Sequence, residues 1–380
     1  MQKLWMMVPV FLTSLFSGAR PAPEEDTLKL NTNHAILVEP MSGHVLYEKN
    51  SEEKCYPASM TKMMAMYVTV KELDQGSITL NDSITVSSYA ASMGGTQIYL
   101  EEGETMPLED ILTAVCVNSA NDAVVALGEF LSGSNDAFID RLNQEAKKMN
   151  LVNTHFVNTT GFDDPNHYSC PKDMAEIARN LLQYPDILKY TSMKEAYVRK
   201  DSASPFWLVN TNKLMQNYKG MDGLKTGYTK ASGYNLTATA KRDSVRLLSV
   251  VMNEESIEKR SADTTKLLNY GFSKYVGKKL YRSGQILAHY HYDGGDQEEM
   301  GIRLVDDVIL PMLKDEENQE WTSYIDLMKV DLPVKEGEMI GHLVVIYQER
   351  EFRFPVVAEK DVRPMGFLDF FRAFLRDFLA

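Results

Sequence analysis

Four serines in this chain are followed three residues later by a lysine: Ser51, Ser59, Ser169 and Ser256. On a helix, residues three apart share a face, so such a hydroxyl and amine can meet. A serine hydroxyl is a weak nucleophile until a base removes its proton. A lysine amine is that base only when neutral, which requires burial or a nearby positive charge. Local context separates the four. Ser51 lies in a charged turn, and Pro171 intervenes between Ser169 and Lys172. Ser256 opens a charge-rich run that reads as a solvated helix face. Ser59 follows a strand pair and opens an apolar helix through Met63, Met64, Met66, Tyr67 and Val68, suited to the centre of a domain. A helix start also favours a developing negative charge. Ser59 and Lys62 are therefore the candidate nucleophile and base.

Two further short patterns bear on chemistry. Ser119-Ala120-Asn121 precedes the apolar run Ala123 to Leu127. Its serine could relay protons and its asparagine could hold a substrate amide. Taken alone, the pattern reads more simply as the N-cap of the following helix. Lys225-Thr226-Gly227 lies inside a strand signal. Glycine there permits close approach of a ligand backbone, and the lysine and threonine could bind a carboxylate. Lys225 could also supply the positive charge that lowers the Lys62 pKa. Taken alone, it reads as an edge strand with a solubilising lysine.

The elements that must position these residues can be read along the chain. Residues 35–48 suggest a hairpin turning at Met41-Ser42-Gly43. Helices are expected over 59–73, 107–115, 121–131 and 134–149, with Ser134 as an N-cap. Residues 151–170 are turn-rich, and Pro171 fits the first position of a helix over 171–183. Strand signals return at 223–229, 234–240 and 245–252, before a helix at 256–269. Strands, then helices, then antiparallel strands predict an α+β domain, a sheet with helices packed on it. Residues 280–357 show short apolar alternations at 285–292, 301–310, 321–331, 341–347 and 351–357, the texture of a small all-β domain.

Composition narrows the function classes. A chain of 380 residues is long for one core and suggests two domains. The 44% hydrophobic and 24% charged fractions are those of a globular protein. A net charge of −13 argues against nucleic acid, because phosphate binding needs a basic footprint. Cys55, Cys116 and Cys170 are odd in number and far apart, so no disulfide framework is expected. Neither metal nor cofactor is expected, since the Cys-x-x-Cys, His-Glu-x-x-His and calcium-loop patterns do not occur.

The three short patterns gain weight together. Ser-x-x-Lys, a Ser-x-Asn-type element and Lys-Thr-Gly form the motif set of β-lactamases and penicillin-binding proteins. Here they fall in that order, at 59, 119 and 225, on a helix start, an inter-helix loop and a sheet strand. The sequence resembles the low-molecular-mass penicillin-binding proteins, the D-alanyl-D-alanine carboxypeptidases of serine peptidase family S11. Pro57-Ala-Ser-Met-Thr-Lys, Asn118-Ser-Ala-Asn-Asp-Ala, His167-Tyr-Ser, Asp173-Met-Ala and Asp222-Gly-Leu-Lys-Thr-Gly-Tyr-Thr carry the resemblance, along with Gly161 and Asn235-Leu. It covers about 30 to 271, and the β-rich domain with a tail also fits.

The resemblance implies that Ser59 attacks the penultimate carbonyl of a peptidoglycan stem peptide, with Lys62 as base. The oxyanion would lie between the backbone N–H groups of Ser59 and Tyr228. Ser119 and Asn121 would handle the leaving-group proton and the substrate amide. Lys225, Thr226 and Gly227 would line the carboxylate site, with Arg260 matching an arginine that the family places after the last sheet strand. A second family arginine, upstream of Lys-Thr-Gly, has no counterpart; Thr211 falls near it. β-Lactam antibiotics would acylate the same serine. A class A β-lactamase shares the three motifs but needs a deacylating glutamate between the second and third. Residues 151–172 hold Asp163 and Asp164 and no glutamate, and a second domain is surplus to that role. A catalytically silent penicillin-binding wall protein is the other rival, and the complete serine, lysine and threonine set argues against it.

The two ends read as targeting devices. Lys3, the apolar run Leu4 to Phe16, and the small Ser17 and Ala19 look like a signal peptide over 1–19. The catalytic domain is then expected over 30–272 and the β-rich domain over 273–361. Residues 362–380 place Phe367, Leu368, Phe370, Phe371, Phe374, Leu375, Phe378 and Leu379 on one half of a helical wheel, with charges on the other. That pattern predicts a helix lying in the membrane surface, which would put the catalytic domain on the outer face of the cytoplasmic membrane.

Overall fold

The computed structural model describes Lys3–Leu4 and residues 28–366, apart from 201, 203, 292–294, 298, 317, 318 and 329. Most of the expected signal segment, and residues 367–380 of the expected tail, lie outside the described residues. The chain forms two compact units that divide between Lys274 and Tyr275.

The larger unit is built on a five-stranded antiparallel sheet. Its strands are β1 (His34–Glu39), β2 (His44–Lys49), β3 (Met221–Thr229), β4 (Gly233–Arg242) and β5 (Val245–Glu254). They lie in the order β2-β1-β5-β4-β3, so β3 is an edge. The helices are α1 (Lys62–Asp74), α2 (Leu108–Thr113), α3 (Asn121–Ser132), α4 (Asn135–Lys148), α5 (Pro171–Leu182) and α6 (Ile257–Lys274). This is the α+β class expected from the element order. Ser134 caps α4 by accepting from Ala137 N at 3.1 Å, and Pro171 opens α5.

Both faces are covered at the centre of the sheet, which is why β1 and β5 read as nearly continuous apolar runs. Ile36, Val38, Leu224, Leu248 and Val250 join the core around α1. Leu37 and Leu247 face α6 instead. A Cβ on Gly271 of α6 would lie 2.5 Å from Leu247 Cδ1 and 3.1 Å from Leu37 Cδ2, so glycine sets the closeness of that packing. Helix α1 is buried on every side from Lys62 to Val70. A helix apolar all round must sit inside the fold, and α1 is the element on which the site is mounted.

Two local departures from the sequence reading matter for function. The expected helix over 59–73 starts as a 3₁₀ turn, Ala58–Thr61, before α1 begins at Lys62. The expected helix over 107–115 ends as α2 at Thr113 and continues as a π-helical turn, Ala114–Asn118. Such turns interrupt helices mostly at functional sites.

The second unit is all β. Its strands are β6 (Tyr275–Tyr281), β7 (Ile286–His291), β8 (Glu299–Leu304), β9 (Val308–Leu313), β10 (Thr322–Leu327), β11 (Met339–Tyr347) and β12 (Arg350–Ala358). One antiparallel sheet runs β10-β11-β12-β8-β7, with Lys3–Leu4 paired to the outer edge of β10, and β6 pairs with β9. The single alternation over 301–310 is thus two strands, because Asp306 and Asp307 interrupt it. Strand β6 has no clean alternation in sequence. Val362 is buried and bridges Val334, while Pro364 bridges Gly295.

Candidate active site

Ser59 lies in the 3₁₀ turn and Lys62 at the first position of α1, so the three-residue spacing brings them together. Lys62 Nζ is 3.0 Å from Ser59 Oγ, 2.7 Å from Asn121 Oδ1 and 2.7 Å from the Thr160 carbonyl oxygen. Lys62 is 0% exposed. Burial, and then the charge of Lys225, hold its pKa well below that of an ordinary lysine. A neutral amine has two N–H bonds and one lone pair. Asn121 and Thr160 accept the two N–H bonds, which leaves the lone pair for the serine hydroxyl.

The 3₁₀ turn is held by close backbone contacts. Ala58 has a φ of +47°, in the left-handed region that costs a non-glycine residue about 1–2 kcal/mol. A Cβ on Gly161 would fall 1.9 Å from the Ala58 carbonyl oxygen and 2.8 Å from Ser59 N. A Cβ on Gly227 would fall 2.6 Å from the Pro57 carbonyl oxygen. The glycine of Lys225-Thr226-Gly227 therefore lets strand β3 press against the turn that carries Ser59, where the sequence suggested room for a ligand backbone.

Ser119 follows the π-helical turn with a φ of +66°, and Ala120, not Ser119, stands at the N-cap of α3. The cap reading of this serine is thereby corrected. Its Oγ is buried without a hydrogen-bond partner among the described residues. Asn121 donates from Nδ2 to the Gly94 carbonyl at 2.8 Å, which fixes its Oδ1 toward Lys62. Its backbone N–H donates to the Thr96 carbonyl at 2.7 Å.

Strand β3 brings the third motif alongside. Lys225 is 1% exposed and donates to the Thr226 carbonyl at 3.0 Å. It occupies an edge strand, yet its amine is inside, so it is no solubilising lysine. Burial lowers its pKa to about 7, and the charge of Arg260 adds to the effect. Arg260, on α6, is 3% exposed, and burial lowers it to about 10. Its Nε has no hydrogen-bond partner among the described residues. Thr226 shares a hydrogen bond of 2.6 Å with Thr211, the residue near the position of the missing family arginine. Tyr228 is 55% exposed, with its ring stacked on Tyr234 at 4.3 Å.

Lys62, Lys225 and Arg260 are thus three buried cationic groups in electrostatic contact. Among the described residues no ion pair reaches any of them. Such a group costs several kcal/mol to keep charged and unpaired, so Lys62, opposed by the charge of Lys225 as well as by burial, is driven toward neutrality. The arginine stays charged.

Several contributors were not legible as site residues. The Thr160 carbonyl lies in the turn-rich stretch 151–170, whose residue types carry no chemical signature. Gly161 and Asp122 stood within the family-like segments without a stated role. Asp122 accepts from Ile98 N at 3.0 Å, Leu100 N at 3.0 Å and Ala123 N at 2.9 Å. Arg199 donates to the Ile98 carbonyl at 2.9 Å and pairs with Glu104 at 2.5 Å. Together they fasten the loop that supplies Gly94 and Thr96 to Asn121. Asp163 accepts from Thr229 Oγ1 at 2.6 Å and so ties the 151–170 stretch to the end of β3. Ser51 and Ser169 are buried in other contacts, and Ser256 Oγ accepts from Lys259 N at the start of α6. None of these three meets its lysine through a hydrogen bond between side chains among the described residues.

A helix-flanked antiparallel sheet carrying this ordered motif set defines the class of serine enzymes that includes β-lactamases and penicillin-binding proteins. Residues 20–256 match the D-alanyl-D-alanine carboxypeptidase family, and residues 275–364 match the C-terminal domain of penicillin-binding protein 5. The chain belongs to the D-alanyl-D-alanine carboxypeptidase family of serine peptidases. It is 37% identical over 374 residues to D-alanyl-D-alanine carboxypeptidase DacF of Bacillus subtilis, covering 98% of this chain and 96% of the relative. Penicillin-binding protein 5 of Haemophilus influenzae superposes with a TM-score of 0.65 at 29% identity, covering 91% of this chain and 100% of that one. Penicillin-binding protein D2 of Listeria monocytogenes, solved in an ampicillin-bound form, superposes with a TM-score of 0.59 at 30% identity, covering 64% of this chain and 99% of that one.

The electrostatic arrangement makes a directional prediction. Removing the charge of Lys225 raises the Lys62 pKa, because a like charge no longer opposes protonation. In Lys225→Met, the acid limb of the pH profile for acylation by a fluorescent penicillin shifts to higher pH. An unmoved limb, in a variant that still folds, separates the two lysines electrostatically.

Proposed function

We propose that the protein is an exported, membrane-attached carboxypeptidase that removes the terminal D-alanine from peptidoglycan pentapeptides through an acyl-enzyme on Ser59. The observation that carries the reading is the buried Lys62 amine, 3.0 Å from Ser59 Oγ, with Asn121 Oδ1 and the Thr160 carbonyl taking its N–H bonds. Ser59 Oγ bonds to the penultimate carbonyl carbon, and its proton passes to Lys62 Nζ. The carbonyl oxygen becomes an oxyanion, received by the backbone N–H groups of Ser59 and Tyr228. The carbon–nitrogen bond to D-alanine then breaks, and the leaving amine takes a proton from Lys62 by way of Ser119. Ser119 Oγ has no hydrogen-bond partner of its own among the described residues, which suits a relay group. Asn121 orients the lysine and the substrate amide. Water adds to the ester, Ser59 regains its proton and the shortened peptide leaves.

Arg260, Thr226 and Lys225 hold the terminal carboxylate of the substrate. The hydroxyl of Thr211 shares a hydrogen bond with Thr226, so recognition here rests on a threonine pair, Lys225 and one buried arginine. β-Lactams acylate the same serine: Oγ opens the ring amide, and the amine product stays tethered in the site. The ampicillin-bound Listeria relative supports that reading. Among the described residues no helix is long and apolar enough to cross a membrane. Export by the segment 1–19 and attachment by the tail over 362–380 would place the enzyme against its wall substrate.

Three experiments test this reading. Ser59→Ala abolishes covalent labelling by a fluorescent penicillin, with acylation falling by ~10⁴-fold or more, while Ser51→Ala, Ser169→Ala and Ser256→Ala label normally. Full labelling of the Ser59 variant removes it as nucleophile. Arg260→Ala lowers kcat/KM for a pentapeptide with a free C-terminal carboxylate about 10- to 100-fold, as expected for a lost bond between charged groups. It leaves the slow turnover of the corresponding amide nearly unchanged. Equal losses on both substrates would instead indicate a damaged fold. Truncation after Arg363 releases an active enzyme that no longer sediments with liposomes. A mature full-length protein that ignores liposomes overturns the anchor.

A further inference from the structure

His167 is a buried imidazole at the edge of the site, with no part in the mechanism above. Its ring nitrogens are both engaged. Val157 N–H donates to Nδ1 at 3.1 Å, and Nε2 lies 2.8 Å from Thr61 Oγ1. Thr61 Oγ1 in turn donates to the Ala58 carbonyl at 2.8 Å. A hydroxyl has one proton. Since Thr61 spends it on Ala58, Nε2 must carry the ring proton and donate to Thr61. Acceptance at Nδ1 demands the same tautomer. The result is a directed chain: Val157 N–H to His167, His167 to Thr61, Thr61 to Ala58.

The end of that chain is the residue immediately before the nucleophile. Ala58 holds a φ of +47°, a conformation that an alanine adopts only when its surroundings impose it. Its carbonyl is fixed on one side by Gly161, where even a Cβ would collide at 1.9 Å. On the other side Thr61 grips it. We propose that His167 is a positioning residue: through Thr61 it locks the Ala58 carbonyl and so holds the left-handed turn that aims Ser59 Oγ at Lys62. The inference rests on Ser59 being the nucleophile. Burial supports it by keeping the imidazole neutral, with a pKa of about 4, against the opposing pull of Asp164 and Asp163. A protonated ring would turn an Nδ1–H toward the Val157 N–H and break the chain at its first link.

The test uses the full chain and a fluorescent penicillin, with saturation kinetics that separate the binding constant from the acylation rate constant. Peptide mapping of the wild-type adduct examines the nucleophile independently; an adduct away from Ser59 overturns that reading and this one with it. His167→Leu and Thr61→Val lower the acylation rate constant on the order of tenfold to a hundredfold, with the binding constant unchanged, as expected for a misaimed nucleophile. His167→Gln and Thr61→Ser rescue the rate, because glutamine can accept from Val157 and donate to Thr61, and serine keeps the hydroxyl. Should His167→Leu fail to fold, Thr61→Val carries the test from the other end of the chain. Wild-type rates in both disrupting variants overturn the proposal. So does a His167→Gln as slow as His167→Leu, or a loss confined to the binding constant.

Discussion

Lysine amines are strongly hydrated and are rarely taken out of water without a carboxylate. Helix α1 takes one into the middle of the catalytic domain, places it beside a second buried lysine and gives it neutral acceptors only. The magnitudes show how this is sustained. Met63, Met64, Met66 and Val68 lie on the same helix and are essentially unexposed. Their burial stabilises the fold by on the order of 6–12 kcal/mol in total. Keeping a buried ammonium charged costs several kcal/mol. The helix can therefore go inside, and the lysine's cheapest response is to give up its proton. On the proposed mechanism, that response is the origin of the base.

The rest of the site follows from satisfying that amine and the turn beside it. Its acceptors come from two distant segments, Asn121 at the start of α3 and the Thr160 carbonyl in the loop before α5. Each needs its own support. Asp122 and Arg199 secure the loop that orients Asn121, and Asp163 ties the other loop to the end of β3. The Ser59 turn is pressed between Gly161 and Gly227, so the two glycines fix how closely the loop and the edge strand approach it. The chemistry is carried by few side chains, while much of the precision comes from backbone.

This division explains what could be read in the sequence. The sheet and helices were legible because the centre of the sheet is buried on both faces and its strands β1 and β5 are nearly continuous apolar runs. The side chains that converge on the site were legible as ordered motifs with a type and a spacing: Ser59 and Lys62, Ser119 and Asn121, Lys225 and Thr226. A carbonyl has no residue signature, so Thr160 could not be found. The left-handed conformations of Ala58 and Ser119 were equally invisible, since neither residue type favours them. The π-helical turn before Ser119 arises from tertiary packing that helical periodicity does not report. Gly227 was singled out for the right position with a different reason, because only the folded chain shows that its neighbour is Pro57.

The central claim is that Lys62 is uncharged when Ser59 reacts. Selective isotope labelling of lysine side chains, with Lys62→Arg used to assign the resonance, allows its titration to be followed by NMR in the free enzyme. The account predicts a resonance separate from the surface lysines, reporting a neutral amine at the pH where acylation proceeds, and moving to higher pH on loss of Lys225. A Lys62 ammonium that titrates together with the surface lysines would contradict it.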